Sequence, residues 1–169
     1  VRMIRYRAMQ RLQSLLAEFG WRSRHTQTIE LAPALTQLWS RTGVAPADLS
    51  AVAVAIGPGS YTGLRVGLAL AKGVALGQNL PLIGVPTLDI LAAAVCRLET
   101  DLVAVAEAGR TRLWAGQYQW AAKRGWERIG EPMLTNWDEL IGRVQVPVAF
   151  AGEIDAAAAR QIRRANRSA

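Results

Sequence analysis

Residues 51–77 read AVAVAIGPGSYTGLRVGLALAKGVALG, and this stretch decides the fold. Ala51–Ile56 is apolar on both faces, the pattern of a strand buried in a parallel sheet. A glycine turn follows at once. Pro58 presets φ for such a turn, and Gly59 can take the positive φ it needs. Ser60 or Thr62 can then cap a helix running to about Leu76. A strand, a tight turn and a helix in direct succession form an α/β unit.

Exposed amides at a helix N-terminus suit an anion. The known phosphate patterns do not fit this turn, however. Gly57, Gly59 and Gly63 are spaced G-x-G-x-x-x-G, one residue longer than the dinucleotide fingerprint, and no G-K-[ST] follows. Ser60 lacks the flanking glycines of a nucleophile elbow, and His25 is the only histidine able to act as its base. The helix carries a different signal. Gly63, Gly67 and Ala71 fall at i, i+4 and i+8, a flat stripe of small residues. Each helical glycine costs roughly 1 kcal/mol against alanine, so two on one face point to a close neighbouring backbone. That neighbour is either the helix's own sheet or another protein; spacing alone does not separate the two.

Working outward, strand-like and helix-like segments alternate. Leu15–Arg22 reads as a short strand. His25–Arg41 reads as a helix capped by Thr26, with Leu31, Leu35 and Leu38 on one face and Gly43 closing it. Leu80–Val85 is a second buried strand, and Thr87–Leu98 a helix capped by the Thr87 and Asp89 side chains. Leu102–Ala106 and Leu113–Trp120 pair as a hairpin around Gly109, and Trp126–Leu134 adds a third antiparallel strand. Thr135–Val144 is a short helix with Thr135 and Asp138 in capping-box spacing. Val146–Phe150 is a strand and Glu153–Arg164 a last helix. A second lobe begins near residue 98.

Composition narrows the function. The chain has 169 residues, 51% hydrophobic and 20% charged, with one Cys and one His. That suits a globular domain, and it excludes a disulfide scaffold, a zinc finger and a His-based metalloenzyme. No cofactor or metal is expected. The apolar run from Gly63 to Val95 is broken by Arg65, Lys72 and Asp89 among others, so no membrane span is expected and the cytoplasm is the default. The net charge of +7 sits at the ends: residues 1–24 carry net +5, residues 160–169 net +4, and the body between them net −2. His25 and Asp48 are explained by helix-start and turn positions. Glu107, at the end of an apolar strand, is expected to pair with Arg110 or Arg112 or to line a cleft. The tryptophans are scattered like core and rim residues rather than a base-stacking platform.

GPGSYTGLRVGLALAKGVALG followed by LPLIGVPTLDILA resembles the signature of the TsaB (YeaZ) family. WRSRHTQTIELAPAL, residues 21–35, resembles its first helix and the strand end before it. AVAEAGRTRLWAGQY, residues 104–118, resembles its hairpin, with Glu107 and Trp114 where the family has Asp and Tyr. The likeness covers about 15–160 and is strongest over 21–94. It implies an α/β, actin/Hsp70-like (ribonuclease H-like) fold with an incomplete N-terminal lobe over 15–98 and a smaller second lobe over 99–159. Residues 1–14 and 160–169 would then be basic flanking segments. It also implies a non-catalytic subunit of the tRNA threonylcarbamoyladenosine complex. Such a subunit binds a TsaD-type catalytic subunit, works with a TsaE-type ATPase, and meets tRNA indirectly. The contact would use helices 25–41 and 60–77, with Thr26, Leu31, Leu35, Gly59, Ser60, Thr62, Gly63, Leu64, Gly67 and Ala71 at the interface with TsaD or with a second copy of this chain.

The family's opening strand, of Leu-Ala-Ile-Asp-Thr-Ser type, has no counterpart in residues 1–20, and the chain stops before the family's usual C-terminal extension. A shortened or frameshifted member with exposed sheet edges, poorly soluble without a partner, is therefore expected. Two rival readings remain: a nucleotide-dependent phosphotransferase of the same fold, and a small basic RNA-binding protein using its Arg-rich ends.

Overall fold

A computed structural model describes residues 27–165, apart from 110, 145 and 146. The strand expected at 15–22, the helix start at His25 and Thr26, and the flanking segments 1–14 and 166–169 lie outside the described residues. The described residues divide into two compact units: 27–53 with 65–83, and 54–64 with 84–165.

The first unit contains helix α1 (Gln27–Thr42), a single 3-10 turn (Pro46–Asp48) and the body of helix α2 (Tyr61–Gly77). Gly43 ends α1 as expected. Its φ of +67° is the left-handed conformation glycine tolerates, and its amide donates to the Trp39 carbonyl at 3.0 Å. Asp48 holds the next turn by accepting from the Ala45 amide at 2.8 Å. Strands β1 (Val52–Ala55) and β2 (Leu82–Val85) form a two-stranded sheet. The Val52 amide donates to Pro81 and the Ile56 amide to Val85, so the bonds advance in one direction along both strands and the pair is parallel.

The second unit is built on a four-stranded mixed sheet of order β5-β4-β3-β6. Its strands are β3 (Asp101–Glu107), β4 (Leu113–Ala121), β5 (Gly125–Thr135) and β6 (Val148–Gly152). The three antiparallel strands match the expected hairpin and its addition, and β6 joins β3 in parallel. Helices α3 (Thr87–Ala93), α4 (Trp137–Arg143) and α5 (Ala156–Ala165) complete the unit. Leu102, Ala104, Ala106 and Tyr118 pack with Leu88 and Ala92 of α3. Val103, Val105, Leu113 and Ala115 pack with Leu140 of α4. Strand period two thus sends alternate β3 side chains into two cores.

The last helix starts at Ala156, capped by Asp155, and not at Glu153, and three further expectations need correction. Helix α3 stops at Ala93, short of Leu98. The Val95 amide bonds three residues back, to the Ala92 carbonyl at 3.0 Å, which closes the helix, and the Val95 carbonyl accepts from the Trp126 indole at 3.0 Å. Neither Thr87 nor Asp89 caps α3, whose N-cap is Pro86 without a side-chain bond. Asp89 instead accepts from the Tyr118 hydroxyl at 2.7 Å and lies 3.6 Å from Arg128. The cap of α4 is Asn136, accepting from the Glu139 amide at 2.9 Å, not Thr135 with Asp138. Thr135 is the last residue of β5, paired with Leu113 and buried, and so remains in the strand.

Two predictions follow from this packing. Gly152 has φ +112°, and a Cβ there would lie within 3.1 Å of the Val105 carbonyl carbon and closer still to its oxygen, so Gly152→Ala should cost at least about 3 kcal/mol in urea unfolding. Burial, and then the bond to Asp89, hold the Tyr118 hydroxyl above its ordinary pKa of about 10. The native state keeps that proton while the unfolded chain releases it. The resulting stability is complete below pH ~10 and is lost as pH rises further. Tyr118→Phe should therefore cost about 1–2 kcal/mol at neutral pH and make the loss above pH ~10 shallower, both read from unfolding curves.

Candidate functional site at the glycine turn and the helical face

The turn after β1 is fixed by backbone. The Gly57 carbonyl accepts from the Thr87 amide at 2.8 Å, and the Gly57–Pro58 peptide is cis. The positive φ falls on Gly57, at +108°, and not on Gly59 as expected. The reversal occurs one step earlier because the Ile56 amide and the Gly57 carbonyl are still tied to β2 and to the start of α3. A Cβ on Gly57 would meet Leu64 Cδ1 at 3.2 Å, so Leu64 packs directly over the turn. Of the two expected caps of α2, Ser60 fills the role: its hydroxyl accepts from the Gly63 amide at 3.4 Å, a long bond. Thr62 is exposed on the first turn.

Residues 56–61 and Leu64 line one side of a cleft of about 780 Å³ within the second unit. Glu107, Ala108, Gly109, Trp114 and Glu153 line the rest. Glu107 therefore takes the cleft-lining position among those expected. It forms no ion pair with Arg112, and Arg110 lies outside the described residues. Sequence reading missed Glu153. The Gly152 bend brings it round, its amide donates to Val105 at 3.0 Å, and its carboxylate accepts from the Glu107 amide at 2.6 Å. The signal was the Gly-Glu step ending an apolar strand. Two carboxylates beside a helix N-terminus oppose a phosphate rather than cradle one.

In the first unit, a groove of about 420 Å³ runs between α1 and α2, lined by Leu35, Trp39, Leu70 and Val74 among others. Leu31 is half-buried on α1. A Cβ on Gly67 would meet nothing within 4 Å among the described residues, whereas Ala71 is only 9% exposed. The expected interface residues thus fall in two places. Gly59, Ser60 and Leu64 line the cleft, with Gly63 one turn into the helix; Leu31, Leu35, Gly67 and Ala71 belong to the helical unit. Thr26 lies outside the described residues. Among those residues, no three His, Cys, Asp or Glu gather as a metal site, and no helix is long and apolar enough to cross a membrane.

Residues 22–162 match the family model of TsaD, tRNA N6-adenosine threonylcarbamoyltransferase, which defines the class of fold. The tRNA threonylcarbamoyladenosine biosynthesis protein TsaB of Bacillus subtilis (strain 168) is 33% identical over 149 residues, covering 86% of this chain and 64% of that protein. Its counterpart in Escherichia coli (strain K12) is 37% identical over 97 residues, covering 56% and 41%. The solved structure of YeaZ from Pseudomonas aeruginosa superposes with a TM-score of 0.65 at 26% identity, covering 76% of this chain and 61% of that one. The chain belongs to this family, on its TsaB (YeaZ) branch. It spans less than two thirds of the length of these TsaB relatives.

The turn's two supports differ in weight, and substitution should separate them. Ser60→Ala removes a long cap bond and should cost about 0.5 kcal/mol. Gly57→Ala must take a left-handed φ against Leu64 and should cost about 1–3 kcal/mol. Urea midpoints measured on both variants check the ranking.

Proposed function

We infer that this chain is a non-catalytic scaffold and activating subunit of a tRNA threonylcarbamoyladenosine modification complex, acting in the cytoplasm. It binds a TsaD-type catalytic subunit through α1 and α2, with a TsaE-type ATPase completing the assembly and tRNA held by the complex. A second copy of the chain is the competing occupant of the same helices. The reading goes with an actin/Hsp70-like fold, an N-terminal lobe over 15–98 and a second lobe over 99–159. The names of the TsaB relatives support the pathway.

One observation carries the choice of surface. A Cβ at Gly67 would meet nothing among the described residues, as at Gly73 and Gly77 of the same helix, although each helical glycine is costly. A partner backbone packed there would account for it. Ala71, being buried, is engaged in the chain's own packing and is a less clean probe.

Gly67→Leu should leave the free chain folded and abolish co-elution with a TsaD-type subunit on size exclusion. Leu76, 82% exposed and on another side of α2, serves as the control, and Leu76→Gln should co-elute normally. Unchanged co-elution of Gly67→Leu would remove α2 from the interface. A shift of the free chain from dimer to monomer would assign the face to a second copy.

A further inference from the structure

Helix α5 is anchored on one side and charged on the other. Ala158 is buried, Asp155 accepts from the Ala158 amide at 2.7 Å, and Gln161 donates to Asp138 of α4 at 3.2 Å. The outer side carries Arg160, Arg163 and Arg164, with no acid anywhere in Ala156–Ala165. Arg143, in the last turn of the neighbouring α4, is also exposed. The nearby acids bond neutral donors and not these arginines: Asp138 accepts from Gln161, Glu139 from the Thr135 hydroxyl at 3.1 Å, and Asp155 from the Ala158 amide, each keeping its charge. Arg143, Arg160 and Arg163 form no ion pair with any described residue. Among the described residues, Arg143, Arg160 and Arg163 are thus exposed cations without an acid paired to them, and the arginines of α4 and α5 outnumber the carboxylates there.

We propose that this face docks the phosphate backbone of RNA. Residues three apart on a helix sit side by side, so Arg160 and Arg163 offer adjacent guanidinium forks suited to bidentate phosphate contacts. A helix already anchored on its sheet gives up little entropy when it binds. The contacts reach phosphates and not base edges, so they position an RNA without reading its sequence. An anionic membrane is the weaker occupant. The exposed positions of α5 are alanine, glutamine and arginine, with no large apolar side chain to enter a bilayer. That the RNA is tRNA rests on the proposed function; the affinity for an RNA backbone does not.

The test is fluorescence anisotropy of labelled tRNA with the full chain, at salt from about 50 to 200 mM. The patch variant combines Arg143→Gln, Arg160→Gln and Arg163→Gln. A control variant combines Arg97→Gln, Lys123→Gln and Arg124→Gln, removing the same charge elsewhere. The patch variant should bind roughly tenfold more weakly, with a salt slope smaller by about 2, while the control stays within about twofold of the parent. Arg160→Lys with Arg163→Lys keeps the charge and the helix, and should retain the slope even if the neutral variant unfolds. Equal weakening in patch and control, unchanged binding in the patch variant, loss of slope with the lysine pair, or preference for phosphatidylserine vesicles over tRNA would each overturn the proposal. Failure to co-elute with a TsaD-type subunit while this binding persists would count against the proposed function alone.

Discussion

Strand β3 is held on both edges and both faces, and the second unit depends on that. Leu102 to Ala106 are all buried, an apolar run without a polar break. Such a run is stable only where both edges are paired, and β4 and β6 supply the ladders. Each fully buried Leu or Val there contributes about 1.5–3 kcal/mol against exposure. The glycines mark where packing becomes tightest. Gly152 brings the chain against the Val105 carbonyl, and Gly116 leaves room for the Tyr118 ring and Leu88. Either gap would be closed by a single methyl group.

Polar groups then fix what the apolar run leaves free. The bond from Tyr118 to Asp89 joins β4 to α3, and Arg128 brings the charge of β5 to the same carboxylate. The Trp126 indole on the Val95 carbonyl ties β5 to the chain leaving α3. Both interactions lie on one face of the sheet. They give α3 a defined position over a core whose other contacts are largely alanine, leucine and tryptophan, which alone tolerate sliding.

Local chemistry was legible in the sequence; long-range partners were not. The strand, turn and helix of 51–77, the Gly43 stop and the three antiparallel strands follow from periodicity and from residues with special backbone freedom. The errors share one cause. Asp89 beside Thr87 looks like a helix cap until Tyr118, 29 residues away, takes its oxygen. The chain after α3 looks helical, yet its Val95 carbonyl holds the Trp126 indole, 31 residues on. Thr135 looks like a cap until its pairing with Leu113 keeps it in the ladder. The site behaves likewise: Glu107 was visible at a strand end, but Glu153 lies 46 residues away and only the Gly152 bend brings the two together. Each such partner is set by the register of the sheet, which a local pattern does not contain.

The cleft beside the glycine turn sets carboxylates against a backbone whose shape would suit an anion. The N-terminus of α2 offers a partial positive charge, about half an elementary charge. Its first turn already gives the Gly63 and Leu64 amides to Ser60. Against it stand Glu107 and Glu153, two full negative charges lining the same cleft, and no described lining residue is Lys or Arg. Glu153 is not free to swing away, since its carboxylate is held by the Glu107 amide and its own amide by Val105. The anion-binding geometry of the backbone is thus retained while the side chains around it carry the wrong sign for phosphate.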